Sequence, residues 1–167
     1  MRLVKPTKKY EKSWQEAMAE FRNENRKGFW NWIEEPIDLD SYIKLTEANE
    51  NGQSLTVGSV ASTTFWLIDN NEFKGHTNIR HELNDYLKKF GGHIGYYIRP
   101  SERRKGYGTK ILGLALIEAR KIGLKKVMIG CDESNIPSQK VIEKNGGEFT
   151  KKVTDECEPK LIYWIKL

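Results

Sequence analysis

A mixed α+β domain is what the sequence predicts, and two observations predict it. Apolar residues recur at helical spacing in residues 8–24 and 107–122, and short runs rich in β-branched and aromatic residues lie between and after these stretches. The 167 residues suit one domain with its own core, and no shift in composition marks a second domain. Residues 1–167 are therefore expected to form a single domain.

The first half of the chain predicts two helices followed by a β-hairpin. Tyr10, Trp14 and Phe21 fall on one face of the first helix, which makes it amphipathic. Asp and Asn between two β-rich runs are typical of a hairpin connection. In order, the expected elements are a strand at Arg2–Val4, a helix from about Lys8 to Glu24, a helix that Asp40 or Ser41 caps and that ends near Ala48, and strands at 63–68 and 72–83 joined by residues 69–71.

The second half predicts alternating strands and helices. Gly123 marks the end of the clearest helix, and Pro137 suits the first turn of the next one. In order, the expected elements are a helical turn in 84–92, a strand at 93–98 that Pro100 stops, a helix at 107–122, a strand at 125–131, a helix from Pro137 to about Asn145, and strands at 148–153 and 160–167.

The composition argues against several classes of function. A net charge of +5 suits an anionic partner without identifying it, and no alternation of aromatic and basic residues indicates a specific nucleic-acid interface. No apolar run approaches the roughly 18 residues that span a bilayer, and the N-terminus lacks the apolar core of a signal peptide, so a cytoplasmic location is expected. Cys131 and Cys157 are expected to be reduced, and no residue spacing predicts a metal site. The oligomeric state stays open, with a homodimer as one alternative.

The stretch RRKGYG, residues 103–108, predicts a phosphate-binding loop. It lies between a predicted strand and a predicted helix, where free main-chain N–H groups and the helix dipole attract anions. Gly106 and Gly108 allow the main chain to approach a ligand closely, and three cations add charge. The spacing is that of neither a P-loop nor a dinucleotide-binding fingerprint, whose third glycine would fall at Ile111.

Two linked motifs in residues 90–150 resemble the GCN5-related N-acetyltransferase (GNAT) superfamily. RRKGYG fits the pattern [Q/R]-x-x-G-x-[G/A], and NIPSQKVIEKNGG follows about thirty residues later, close to the family's N-x-x-[A/S]-x-x-x-[Y/F]-E-K-x-G-F segment. The run GGHIGYYIRPSERRKGYG is similar to a bacterial branch of predicted acetyltransferases. The resemblance implies a central, mostly antiparallel twisted sheet of about six or seven strands, with a splayed parallel pair and about four flanking helices.

The resemblance also implies a reaction, in which acetyl-CoA donates an acetyl group to a primary amine of a small molecule or peptide by direct attack. In this family the motif loop binds the cofactor pyrophosphate, the preceding strand pairs with the pantetheine arm, and the later Asn and small residue lie beside the cofactor. Carried over by position, the cofactor-binding residues are Tyr97, Ile98, Arg103, Arg104, Lys105, Gly106, Tyr107, Gly108, Thr109, Asn135 and Ser138.

Two positions depart from the family pattern and leave the proton transfers open. Ile142 stands where relatives commonly carry a Tyr that protonates the leaving thiolate, so another group, water or Cys131 must replace it. Gly92 stands where some relatives carry a catalytic Glu. The remaining candidates for catalysis are His81, Glu82 and Tyr96. His81 and Glu82 are alternatively residues of a solvated strand end, and Tyr96 alternatively packs in the core or contacts the substrate.

The aromatic stretch between the first two helices is a candidate for the acceptor site. Trp30 and Trp32 would wall an amine, or they would instead anchor the helices to the sheet. A different class of function is also compatible with Ile142, namely a CoA-binding sensor or interaction module that has little catalytic activity.

Overall fold

The computed structural model describes residues 1–24, 38–53, 55, 57–154 and 158–167. In this part of the chain, the strands and α-helices confirm the mixed α+β class. They are β1 (Arg2–Val4), α1 (Glu11–Asn23), α2 (Leu39–Glu50), β2 (Ser62–Asp69), β3 (Glu72–Arg80), β4 (Ile94–Ile98), α3 (Tyr107–Lys121), β5 (Lys126–Asp132), α4 (Ile136–Lys144), β6 (Glu148–Thr154) and β7 (Pro159–Lys166). Short helical turns cover Lys8–Tyr10, Leu87–Gly91 and Pro100–Glu102.

Most boundaries differ from the prediction by a residue or two, and two of the differences have a clear structural cause. The cap of α2 is Asp38, whose Oδ1 accepts the N–H of Ser41 at 2.9 Å, because Asp38 is still extended while Asp40 is already helical. Strand β3 ends at Arg80 rather than at residue 83, because its neighbour β4 leaves the ladder at His93, opposite Arg80.

The strands form two hydrogen-bonded sheets in which every ladder is antiparallel. The first has the order β1-β2-β3-β4 and the second the order β5-β7-β6. The β2–β3 hairpin turns at Asn70 and Asn71, whose φ angles of 49° and 59° suit the tight turns that match strand twist. The predicted hairpin is confirmed.

The two sheets join at the start of β4, in a short contact that we call the sheet junction (Gly92, His93, Met128 and Ile129). The N–H of His93 donates to the carbonyl of Met128 at 2.7 Å, and the N–H of Met128 donates to Nδ1 of His93 at 2.9 Å. Gly92 and Ile129 form an isolated antiparallel bridge. Burial lowers the pKa of His93, so the ring stays neutral and Nδ1 keeps its lone pair for Met128.

Beyond the junction, β4 and β5 separate. Tyr96 of β4 still packs against the apolar cluster that contains Cys131 of β5. Among the described residues, no main-chain hydrogen bond joins β4 to β5 after His93. The two strands are therefore splayed, and one edge of β4 is unpaired in the described part of the chain.

Helices cover both faces of the first sheet. Trp14 of α1, Tyr42 of α2 and Trp66 of β2 are buried in one cluster, on what we call the α1–α2 face. Leu112 of α3 and Ile142 of α4 are buried with residues of both sheets in a second cluster, on the α3–α4 face. Side chains alternate along a strand, so neighbouring residues of β4 belong to opposite faces.

Candidate functional site

The loop from Arg104 to Thr109 presents a run of free main-chain N–H groups. Arg104 and Gly106 have positive φ angles of 62° and 85°, and Gly106 caps α3 without any side-chain hydrogen bond. Within the described part of the chain, no acceptor binds the N–H groups of residues 104–109, and the first paired amide is that of Lys110, which bonds the Gly106 carbonyl. A concave run of amides at a helix N-terminus is suited to bind phosphate oxygens.

Most charged side chains of this loop are already paired. Arg103 forms a bidentate ion pair with Glu24 at the end of α1, and its Nε donates to the Ile98 carbonyl at 3.2 Å. Lys105 pairs with Glu102 at 2.9 Å. Arg104 is exposed and has no ion-pair partner among the described residues. Arg103 therefore holds the loop in position, and Arg104 is the cation that remains available to an anion.

Contacts from two other elements fix the loop. The Tyr107 hydroxyl donates to Asp69 at 2.9 Å. A Cβ on Gly108 would lie 3.1 Å from Val141 Cγ2, so glycine here allows α3 to approach α4. The Asn145 side chain donates to the Thr109 carbonyl at 3.2 Å.

The unpaired edge of β4 begins beside this loop. Arg80 N–H bonds the His93 carbonyl at 2.8 Å, and Arg99 N–H bonds the Lys74 carbonyl at 2.9 Å. Since hydrogen-bonded and non-hydrogen-bonded pairs alternate in an antiparallel ladder, the odd-numbered residues of β4 turn their main chain towards β3. The main-chain groups that face the gap next to β5 belong to Ile94, Tyr96 and Ile98. Of the two residues predicted to pair with pantetheine, Ile98 faces the gap and Tyr97 faces β3.

Tyr96 meets the first turn of α4. Its hydroxyl lies 2.8 Å from Ser138 Oγ, and the Ser138 N–H is capped by Oδ1 of Asn135 at 3.1 Å. Burial raises the pKa of Tyr96 to about 12, so the phenol is protonated at neutral pH. Ile142 lies one helical turn after Ser138 and is fully buried. The structure thus brings the predicted residues Tyr96, Asn135 and Ser138 together at the edge of the gap.

The other catalytic candidates lie beyond the end of β3. His81 Nε2 is 2.8 Å from Thr63 Oγ1, and Glu82 is exposed. Neither has a described contact with the gap between β4 and β5. Trp30 and Trp32 lie outside the described residues. The roles of these four residues stay predictions.

Gly92 explains the missing acidic residue. Its φ is 70°, and a Cβ at this position would lie 2.3 Å from the Met128 carbonyl oxygen. No side chain fits there without moving the sheet junction, so a Glu is excluded by the local backbone. In the sequence, the glycine pair before β4 is the signal for this close approach, although a glycine pair is also typical of the end of a helical turn.

Three further observations concern the described residues. They contain no group of three or more His, Cys, Asp and Glu side chains that would hold a metal ion. None of their helices combines the length and the apolarity that crossing a bilayer requires. Cys131 is a free, buried thiol, and burial raises its pKa to about 11.

Many solved acetyltransferase structures resemble this fold. The acetyl-CoA complex of yncA from Salmonella typhimurium has a TM-score of 0.67 at 15% identity and covers 99% of this chain and 94% of its own. Ribosomal-protein-alanine N-acetyltransferase from Brucella melitensis has a TM-score of 0.68 at 17% identity, with both chains fully covered. Spermidine N-acetyltransferase from Vibrio cholerae has a TM-score of 0.67 at 16% identity, covering 99% and 95%. At these identities the likeness shows the fold alone.

Sequence comparison gives the family directly. No curated protein matches the sequence significantly. The profile of the family described as "Acetyltransferase (GNAT) domain" matches residues 3–148, which is most of the chain. The motifs at the N-termini of α3 and α4 lie inside the matched range. The chain therefore belongs to the GNAT acetyltransferase domain family.

Proposed function

We propose that the protein transfers the acetyl group of acetyl-CoA to a primary amine by direct attack. The observation that carries this proposal is the run of unpartnered N–H groups from Arg104 to Thr109, placed where the unpaired edge of β4 ends. These groups suit the cofactor pyrophosphate, and Arg104 adds a positive charge. The yncA relative was solved with acetyl-CoA, which agrees with this assignment.

The extended pantetheine arm would lie along β4 as an added strand does. The main-chain groups of Ile94 and Tyr96 face the gap and are free to hydrogen-bond its amides. The thioester would then lie near the sheet junction, where β4 and β5 are closest. An N–H of β4 that points into the gap would stabilise the oxyanion of the tetrahedral intermediate.

The reaction needs two proton transfers. The amine nitrogen attacks the thioester carbon, the C–N bond forms, the amine loses a proton to a base, and the C–S bond then breaks. We assign protonation of the thiolate to the Tyr96–Ser138 pair, because this pair lies one turn before Ile142 on the same helix face. His81, Glu82 and water remain alternatives for the base.

Removing either hydroxyl tests this acid. Tyr96→Phe and Ser138→Ala are each expected to lower kcat by about 100-fold while leaving acetyl-CoA affinity unchanged, since general acid catalysis contributes roughly 10²–10⁴-fold. Steady-state kinetics and calorimetric titration measure the two quantities. Tyr10→Phe is the control, because its hydroxyl bonds Arg2 far from the gap. Unchanged kcat in both variants would exclude the assignment.

The transfer itself is tested in two steps. Acetyl-CoA at about 100 times its Kd should stabilise the folded protein by about 2.7 kcal/mol, which for this size raises Tm by roughly 5–10 °C. Thiol release from acetyl-CoA is then followed with amino acids, polyamines, aminoglycosides and peptides. A missing thermal shift at millimolar acetyl-CoA would refute the proposal. Binding without thiol release from any amine would instead indicate a CoA-binding sensor.

A further inference from the structure

Arg80, the last residue of β3, is a half-buried cation that has no anionic partner among the described residues. Its Nη1 donates to the Gly92 carbonyl at 2.9 Å. In the part of the chain that the structure describes, no carboxylate lies within ion-pair distance of it, and its electrostatic neighbours are the hydroxyls of Tyr86 and Tyr97. Burial lowers the pKa of the guanidinium, which nevertheless keeps its charge in proteins.

This lack of a partner distinguishes Arg80 from comparable side chains. Every other buried or half-buried Lys or Arg among the described residues pairs with a carboxylate. These pairs are Lys74 with Glu72 and Glu102, Arg99 with Glu16 and Glu20, Arg103 with Glu24, and Lys160 with Asp132. An unpaired charge away from water is costly, so a missing anion at Arg80 calls for an explanation.

The surroundings of Arg80 are polar and leave room for a ligand. Asn78 shares the α1–α2 face with Arg80, and its side-chain amide donates to Ser62 and Thr64 at 3.0 and 3.1 Å. Gly95, opposite Asn78 on β4, also lies on this face, and no described atom would come within 4 Å of a Cβ placed there. The side chains of Asn78, Ser62 and Thr64 thus bond one another, and no described atom fills the space over Gly95 on the same face.

Arg80 is also close to the predicted position of the thioester. It pairs with His93 at the sheet junction, where β4 begins to separate from β5. The α3–α4 face behind this point is filled by buried Ile79, Ile94 and Leu112. An acceptor therefore reaches the gap from the α1–α2 face, on which Arg80 lies.

We propose that Arg80 binds a carboxylate of the acceptor, so that the substrate is an amine that also carries a carboxylate group. This inference rests on the proposed function. With Nη1 held by Gly92, the Nε and Nη2 groups form an edge of two parallel donors that no described residue accepts, and this edge matches the two oxygens of a carboxylate. A substrate carboxylate bound there would form an ion pair with Arg80. The amine that attacks the thioester would then have to lie at a set distance from this carboxylate. Polyamines, which bring only positive charge, are disfavoured at this site.

Matched acceptors test the proposal. The first panel holds ω-amino acids with one to five carbons between amine and carboxylate, together with α-amino acids, and the second holds their carboxamides. Thiol release from acetyl-CoA gives kcat/KM for each compound. The best carboxylate is expected to exceed its carboxamide by about 100-fold. In Arg80→Gln this ratio is expected to fall to about 1, through a higher KM for the carboxylate.

Two controls separate recognition from stability. Arg120→Gln removes an exposed Arg of α3 and should leave the ratio unchanged. Arg80→Lys keeps the charge without the two-donor edge and should retain part of the preference. Because Arg80 also bonds Gly92, the thermal shift by acetyl-CoA is measured in each variant to show that the fold and the cofactor site persist.

The outcomes distinguish this inference from the proposed function. A missing acetyl-CoA shift in the unmodified protein refutes the proposed function. Three outcomes in a protein that binds acetyl-CoA normally overturn only the role of Arg80. They are equal rates with carboxylates and carboxamides, a preference for polyamines, and no turnover of either panel. A carboxylate preference that survives Arg80→Gln in a protein that still binds acetyl-CoA overturns it as well.

Discussion

Gly106→Glu is expected to abolish the thermal stabilisation by acetyl-CoA. Gly106 lies in the middle of the free N–H run and precedes the first turn of α3, so a carboxylate there occupies the position proposed for the pyrophosphate. The new carboxylate repels the incoming pyrophosphate and accepts hydrogen bonds from the N–H groups that would otherwise bind it. The shift of roughly 5–10 °C expected for the unmodified protein should fall below about 1 °C.

The matched control is Gly106→Asn. Asn tolerates a positive φ better than most residues, and no described atom lies within 4 Å of a Cβ at this position. The neutral variant is therefore expected to keep most of the shift. Equal shifts in Gly106→Glu and the unmodified protein would place the pyrophosphate elsewhere, whereas loss in both variants would point to backbone strain rather than charge.

Gly92→Ala is expected to be the most destabilising single substitution at the sheet junction. The added Cβ would lie 2.3 Å from the Met128 carbonyl oxygen, which is a steric clash. The alanine would also have to adopt the left-handed backbone conformation that Gly92 has at φ 70°. Left-handed strain costs about 1–2 kcal/mol, and the steric conflict adds about 1–3 kcal/mol. We expect a loss of about 3 kcal/mol in the free energy of unfolding, measured by urea denaturation.

Gly58→Ala separates these two contributions. Gly58 has a similar φ of 84°, but no described atom lies within 4 Å of its Cβ position, so only the conformational cost applies. A loss of about 1 kcal/mol is expected there. If both variants lost the same amount, the close approach of Gly92 to Met128 would contribute nothing, and the junction would be less tightly packed than described.

Local signals account for most of what the sequence predicted correctly. The glycines in residues 103–108 predict a strand-to-helix junction. Asn70 and Asn71 predict the hairpin, because asparagine tolerates the positive φ angles that its turn requires. Such features depend on neighbours within a few residues, which the sequence displays in order. The cap of α2 was misplaced by two residues because Asp38, Asp40 and Ser41 are all suitable capping residues.

Long-range contacts account for what the sequence did not reveal. The ion pair between Arg103 and Glu24, which lie 79 residues apart along the chain, was not predicted from the sequence. Tyr96 and Ser138 were recognised separately, and the hydrogen bond between them spans 42 residues. That Arg80 has no carboxylate partner among the described residues is visible only in the three-dimensional structure. Pairing of this kind depends on tertiary packing, for which local patterns carry no information.

The loop at the start of α3 has a consequence for sequence divergence. Main-chain amides are chemically the same for nearly every amino acid, so a site made of them constrains backbone angles much more than side chains. Substitutions at exposed Lys105 should accumulate with little effect on donor affinity, whereas position 106 tolerates few residues. A loop whose proposed role rests on main-chain groups is thus compatible with the 13–17% identity between this chain and the solved structures that share its fold.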